Sequence, residues 1–312
     1  MSALAALLLS AGAAVNAPPA AEWRLVWSDE FDGPAIDRTK WDYDVDCWGG
    51  GNDERQCYTD RADNAAIVDG KLVITAIRED STGPAFPPAQ RGDPDKAGAV
   101  ATKPFRSARL VTRGKAAWTY GKVEVRARLP QGQGTWPAIW MLPEAGAYGG
   151  WAASGEIDIL EAVNLGVPCD ACAGGVENRI LGTLHFGGVW PDNAHKGSET
   201  ALPGSLDDFH VFGIVWKKGE IVWTVDGKPY ATQRAGDWHT SGSDDPAAPF
   251  DRPFHLLLNL AIGGGLAEGR GAGGVDMAGY PKKMEIDWVR VWQCGDAAAS
   301  TGPCSETGDQ RD

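Results

Sequence analysis

The sequence has little that would build a helical bundle, hold a nucleic acid or cross a bilayer. Runs with apolar residues every three or four positions are hard to find. Basic residues are in deficit, 29 Lys and Arg against 42 Asp and Glu, which leaves a net charge of −13. No block of Lys or Arg occurs. Such a field repels long polyanions, so nucleic acid is a poor partner and sulfated or uronic polymers are disfavoured. There is no H-E-x-x-H, no phosphate-cradling Walker loop and no G-x-S-x-G. Gly269, Gly271 and Gly274 satisfy G-x-G-x-x-G, but in a glycine-rich loop with no helical pattern after it, so the match is read as chance. After the first residues no apolar run approaches the length of a membrane span.

Tryptophan is abundant instead, 14 against six tyrosines. Many of these must anchor a core, but indoles left at a surface suit flat apolar partners such as sugar rings. With 43% hydrophobic and 23% charged residues the 312-residue chain is long enough to bury a large core. A neutral polymer or small molecule fits the charge balance better than an acidic one.

Residues 1–17, MSALAALLLSAGAAVNA, read as an export leader: a short apolar run ending in small residues, with Val15 and Ala17 placed for cleavage. The expected organisation is a leader over 1–17, one domain over 18–296 and a polar tail over 297–312, in a secreted, monomeric protein with no membrane anchor. Six cysteines fit that compartment. Cys47 and Cys57, Cys169 and Cys172, and Cys294 and Cys304 are locally paired in spacing, which suggests three short bridged loops among about 15 formal connectivities. A lone C-x-x-C lacks the second pair or histidines that a zinc site wants.

Short alternating runs bounded by Gly, Pro, Asn and Asp mark an all-β chain. Lys71 to Ile77 is expected as a strand with Leu72, Ile74 and Ala76 on one face. Gly121 to Leu129 alternates with Val123, Val125 and Ala127 inward. Ile221 to Val225, then Asp226-Gly227, reads as a hairpin with a two-residue turn. His255 to Ile262 and Met284 to Trp292 complete the strong strands. Asp80 to Val100, 164–179 and 263–281 are expected as loops. Many strands without intervening helices imply a jelly-roll β-sandwich of two antiparallel sheets with a substrate cleft.

The segment Gly155-Glu156-Ile157-Asp158-Ile159-Leu160-Glu161-Ala162-Val163 carries the chemistry. In a strand Glu156 and Asp158 share a face. Glu161, five positions after Glu156, would fall on the wrong face of a regular strand. A β-bulge near Ile159-Leu160 would return it. Three carboxylates in one groove repel and raise one another's pKa, which is costly unless one must be ionised to attack and another protonated to donate. A solvated acidic face or a calcium site is the bland alternative.

GEIDILE resembles the active-site signature of glycoside hydrolase family 16 in its bulged form. Similar blocks run from about residue 23 to 293: Trp27 to Gly33, Tyr120 to Ala127, Trp136 to Leu142, Gly182 to Gly188, Asn259 to Gly264 and Met284 to Val291. The resemblance points to the laminarinase branch, endo-acting on β-1,3-glucans. It implies Glu156 as nucleophile, Asp158 as its helper and Glu161 as acid/base. It implies Trp136 and Trp140 stacking on glucosyl rings, His185 beside the acid/base, and Asn64 and Arg109 donating to hydroxyls on the glycone side. Catalysis needs no cofactor. A structural Ca²⁺ would be held by Glu30, the Gly70 carbonyl and Asp287. The chain departs from the branch at Gly265-Leu266-Ala267-Glu268, where Trp-Pro is frequent, and in a longer loop around Cys169 and Cys172. Lichenase, agarase and carrageenase activities, or a non-catalytic β-glucan-binding role, are the competing readings.

Overall fold

The computed structural model describes residues 22–295; the leader and the polar tail expected at the two ends lie outside them. Nineteen strands are present among the described residues. In chain order they begin β1 (Trp23–Asp29), β2 (Asp42–Tyr43), β3 (Gln56–Tyr58), β4 (Ala65–Val68), β5 (Lys71–Ala76) and β6 (Ser81–Pro84). Next come β7 (Val100–Lys103), β8 (Phe105–Ser107), β9 (Arg109–Val111), β10 (Gly121–Arg128), β11 (Thr135–Pro143) and β12 (Glu156–Ala162). The series ends with β13 (Arg179–Gly187), β14 (Asn193–Ala201), β15 (His210–Lys217), β16 (Glu220–Val225), β17 (Lys228–Arg234), β18 (Phe254–Ile262) and β19 (Lys282–Cys294). One four-residue helix, α1 (Gly265–Glu268), follows β18.

Two large sheets carry the fold. One runs β17-β16-β15-β10-β19-β5-β4, with β1 also on β19; the other runs β14-β13-β12-β11-β18-β9-β2. Pairing within both is antiparallel. The alternation expected in β5 and β10 holds: Leu72, Ile74, Ala76, Val125 and Ala127 are fully buried and Val123 nearly so. They meet Ile139, Met141, Ile157, Ile159, Leu160, Leu256, Leu258 and Leu260 of the second sheet in one continuous core. Asp226 and Gly227 turn between β16 and β17 with φ of 49° and 71°, the left-handed pair that a two-residue hairpin requires.

Several expectations are corrected. The segment from Asp80 to Val100 is not only loop; its ends pair as β6 and β7 in a small separate hairpin. The side chains expected to hold calcium are engaged in ion pairs. Both oxygens of the Glu30 carboxylate accept from Arg290 (3.1 and 2.9 Å), and Asp287 accepts from Arg126. Each acid thus has an arginine beside it. Gly70 serves the tight β4–β5 turn, with φ of 70°. Cys47–Cys57 and Cys169–Cys172 form bridges, so the C-x-x-C thiols are spent on each other rather than on zinc. Cys294 is also disulfide-bonded, and Cys304 lies outside the described residues.

Candidate active site

The segment that carries the three acids is β12, in the middle of the second sheet. Against β13, Glu156 faces His185, Asp158 faces Thr183 and Glu161 faces Leu181, and the register slips between Asp158 and Glu161. Against β11, Asp158 faces Trp140, Glu161 faces Ala138, and the same slip appears. The partners 185, 183 and 181 alternate along β13, so all three acids lie on one face. The extra residue is accommodated at Ile159-Leu160, as the spacing requires, and both side chains turn into the core. From the other sheet the Trp223 indole donates to the Asp158 carbonyl at 2.8 Å and pins the strand just before the bulge.

The face so formed is tightly coupled. Oxygens of Glu156 and Asp158 and a ring nitrogen of His185 lie within 4.8 Å of one another. His185 Nε2 is 3.3 Å from Asp158 Oδ2 and 3.9 Å from Glu156 Oε1. Burial opposes a charge on His185, but Asp158, Glu156 and Glu161 outweigh it and hold the imidazole pKa up at about 9. Burial raises Asp158 well above the usual carboxylate range, and Glu161 and Glu156 add to it. Glu161 is raised by burial and by Glu156, against the pull of His185 and Arg270, to about 7. Burial also raises Glu156, but His185 and a hydrogen bond from Trp151 pull it back. Both glutamates are thus raised by burial, and each is steadied by an indole hydrogen bond, Glu156 from Trp151 and Glu161 from Trp136.

Neighbouring strands extend the same face. Trp140 is half-buried and its indole donates to Asn259 Oδ1 at 2.6 Å. Arg109 lies over the rings of Tyr58 and Trp140, 4.4 and 5.4 Å from their centroids. It is held among Tyr58, Glu54, Asp46 and Asp44, which keep it charged despite its burial. Trp136 donates to Glu161 Oε1 at 3.0 Å, but it is only 9% exposed because Leu266 and Ala267 pack over it. It supplies a hydrogen bond to the acid rather than an open face for a sugar. Asn64 is a second correction. It is fully buried, its amide donates to the carbonyls of Thr75 and Arg106, and its oxygen accepts from Thr59 and Arg106. Every polar atom of that side chain is used within the fold, so it has nothing left for a hydroxyl.

Sequence reading missed four contributors. Trp151 donates its indole N–H to Glu156 Oε2 at 2.5 Å and packs beside His185. Asn259, Tyr58 and Glu54 form a buried chain: Asn259 donates to the Tyr58 hydroxyl (3.0 Å), which donates to Glu54 Oε2 (3.3 Å). Trp151 and Glu54 sit in loops, where no periodicity signals a role. Asn259, a polar residue in the fully buried strand β18, was the legible clue.

Comparison with known proteins agrees with this geometry. The family "Glycosyl hydrolases family 16" matches residues 88–290. The chain is 38% identical to the "Glucan endo-1,3-beta-glucosidase A1" of Niallia circulans over 88% of its own length, though it spans only 39% of that protein. It is 41% identical to the "Beta-glucanase" of Rhodothermus marinus, covering 88% of this chain and 86% of that one. Among solved structures, the laminarinase from Rhodothermus marinus superimposes with a TM-score of 0.71 at 40% identity, over 88% of this chain and 99% of that one. With its bulged carboxylate strand on a two-sheet antiparallel fold, the chain belongs to glycoside hydrolase family 16, in its laminarinase-like branch.

Proposed function

We propose that this chain is an exported endo-hydrolase that cleaves β-1,3-glucosidic bonds of a neutral glucan such as laminarin with retention of configuration. The observation that carries the reading is the Ile159-Leu160 bulge, which sets Glu156 and Glu161 on one face while leaving them in different electrostatic surroundings. Glu156, steadied as an anion by Trp151 and His185, attacks the anomeric carbon. Glu161, held up at about 7, gives its proton to the departing glycosidic oxygen. A glycosyl ester on Glu156 results. Glu161, now a base, takes a proton from water, and the water attacks the same carbon and frees Glu156. Asp158, raised chiefly by burial and then by the two glutamates, stands beside Glu156 and can hydrogen-bond that carboxylate while it is the leaving group. His185 remains cationic and limits the repulsion among the three acids. No metal or organic cofactor takes part.

Substrate neutrality follows the acidic charge of the chain, and the disulfides fit an oxidising compartment. The test is a product profile on laminarin, mixed-linkage glucan, agarose and carrageenan, read by reducing-sugar release. Laminarin is expected to be cleaved fastest. Preference for agarose or carrageenan would refute the assignment, and binding of laminarin without turnover would reduce the chain to a recognition protein.

A further inference from the structure

Three of the exposed large hydrophobic side chains gather at one place: Trp151 (41% exposed), Val189 (50%) and Trp190 (70%). The others lie on β1, β4, β7 and the segment before β19. Two segments bring these three together, the loop that leads into β12 and the turn between β13 and β14. Their backbones are tied directly: the Trp190 N–H donates to the Trp151 carbonyl at 3.0 Å, and the Ala152 N–H to that of Gly188 at 3.2 Å. A third segment braces the turn, since the Gly187 N–H donates to His239 and the Ser241 N–H to Gly187 (3.0 and 2.9 Å). The backbone that carries the patch is therefore braced, although its indoles face water at a cost.

The patch is continuous with the catalytic face through Trp151, whose indole N–H reaches Glu156. It also occupies a particular side of it. On the β11, β18 and β9 side the face offers Trp140, Asn259 and Arg109, a buried polar floor. On the β13 and β14 side it offers His185, His195 and then the exposed turn with Val189 and Trp190. In the strand order β12 lies between these two sides. The unit under attack must be gripped by its hydroxyls while its ring flattens, which suits the polar floor. The unit that leaves needs support for its apolar ring face and few directional bonds to break afterwards, which suits an open indole.

We infer that Trp190, with Val189 beside it, is the stacking platform for the glucosyl unit on the leaving-group side of the scissile bond. The inference rests on the hydrolase reading above and adds where the departing, and by reversal the accepting, sugar sits. It makes Trp190 a determinant of chain-length preference and of transfer to sugar acceptors.

The test compares the intact protein with Trp190→Ala and Trp190→Phe on two substrates. Laminarihexaose fills both sides of the site; β-laminaribiosyl fluoride has a leaving group with no ring. In Trp190→Ala, kcat/KM for the hexaose should fall about ten-fold further than that for the fluoride, and Trp190→Phe should recover most of the difference. Transfer to added laminaribiose should drop relative to hydrolysis in the same variant. Equal losses on both substrates, no loss on either, or a loss confined to the fluoride would overturn the assignment. Failure of the unmodified protein to cleave either substrate would instead sink the hydrolase reading itself, and this inference with it. Matching melting curves for the variants exclude a folding defect as the cause.

Discussion

The indole nitrogen of Trp151 lies 2.5 Å from Glu156 Oε2, so a loop residue supplies a direct hydrogen bond to the carboxylate proposed as the nucleophile. That bond favours the ionised form of Glu156 and opposes the burial that raises its pKa. Trp151→Phe keeps the ring and removes the donor. The acidic limb of the kcat/KM profile should move to higher pH, because Glu156 then needs a more alkaline medium to ionise. At a fixed pH near 5 activity should fall by roughly ten-fold or more. An unmoved acidic limb would show that the bond does not govern the nucleophile.

The basic limb should report Glu161. A proton donor with a pKa of about 7 loses its proton above that pH, so kcat/KM should decline there. His185, protonated up to about 9, keeps its charge across that limb and lowers the pKa of both glutamates. Replacing it with Asn removes a positive charge from among three acids. Both limbs of the bell should then shift to higher pH, together with a lower maximum. A bell that drops in height without moving would assign His185 a purely steric part.

The strand carrying the acids is also held from behind, and this can be tested by stability. A Cβ on Gly182 of β13 would lie 2.3 Å from Cδ1 of Trp223 and 2.6 Å from the Tyr230 hydroxyl. Trp223 is fully buried and bonds the Asp158 carbonyl, so it has nowhere to retreat. Gly182→Ala should cost about 1–3 kcal/mol by overpacking, seen as a melting temperature lower by several degrees. Because the displaced indole would drag on β12, kcat should fall as well. A stable, fully active variant would mean that Trp223 does not clamp β12.

The parts of this site written in strand periodicity are legible in the sequence. Glu156, Asp158 and Glu161 at their spacing left a bulge at Ile159-Leu160 as the one way to share a face, and the register shows it there. The inward sets of β5 and β10 followed from the same alternation. What escaped was set by contacts through space between segments far apart in the chain. Nothing in the sequence around Trp151 says that its indole will reach Glu156. Nothing around Glu30 and Asp287 says that Arg290 and Arg126 will claim them. Asn64 was misjudged because its type suits a sugar hydroxyl equally well as the buried carbonyls it actually serves. Trp136 was placed on the right face, but the cover of α1 over its ring depends on how the loop after β18 folds back.

Stereochemistry gives the sharpest check on the two glutamates. A retaining site holds its carboxyls roughly 5–5.5 Å apart, too close for a water to sit between nucleophile and sugar. Glu156 must then attack directly, and water enters afterwards from the side the leaving group vacated. The first product from the unmodified protein should therefore be the β-anomer, as in the substrate, read by proton NMR before mutarotation. The roles can be separated with azide and an activated glycoside. Glu156→Ala leaves a gap on the attacking side, so azide acting there should give an α-glycosyl azide by a single inversion. Glu161→Ala keeps the nucleophile, so the glycosyl ester forms and azide displaces it to give the β-glycosyl azide. Both variants should lose at least about a thousand-fold on laminarin, since neither half of the double displacement runs without its partner. An initial α-anomer from the unmodified protein, or the same azide product from both variants, would refute the assignment of Glu156 as nucleophile and Glu161 as acid/base.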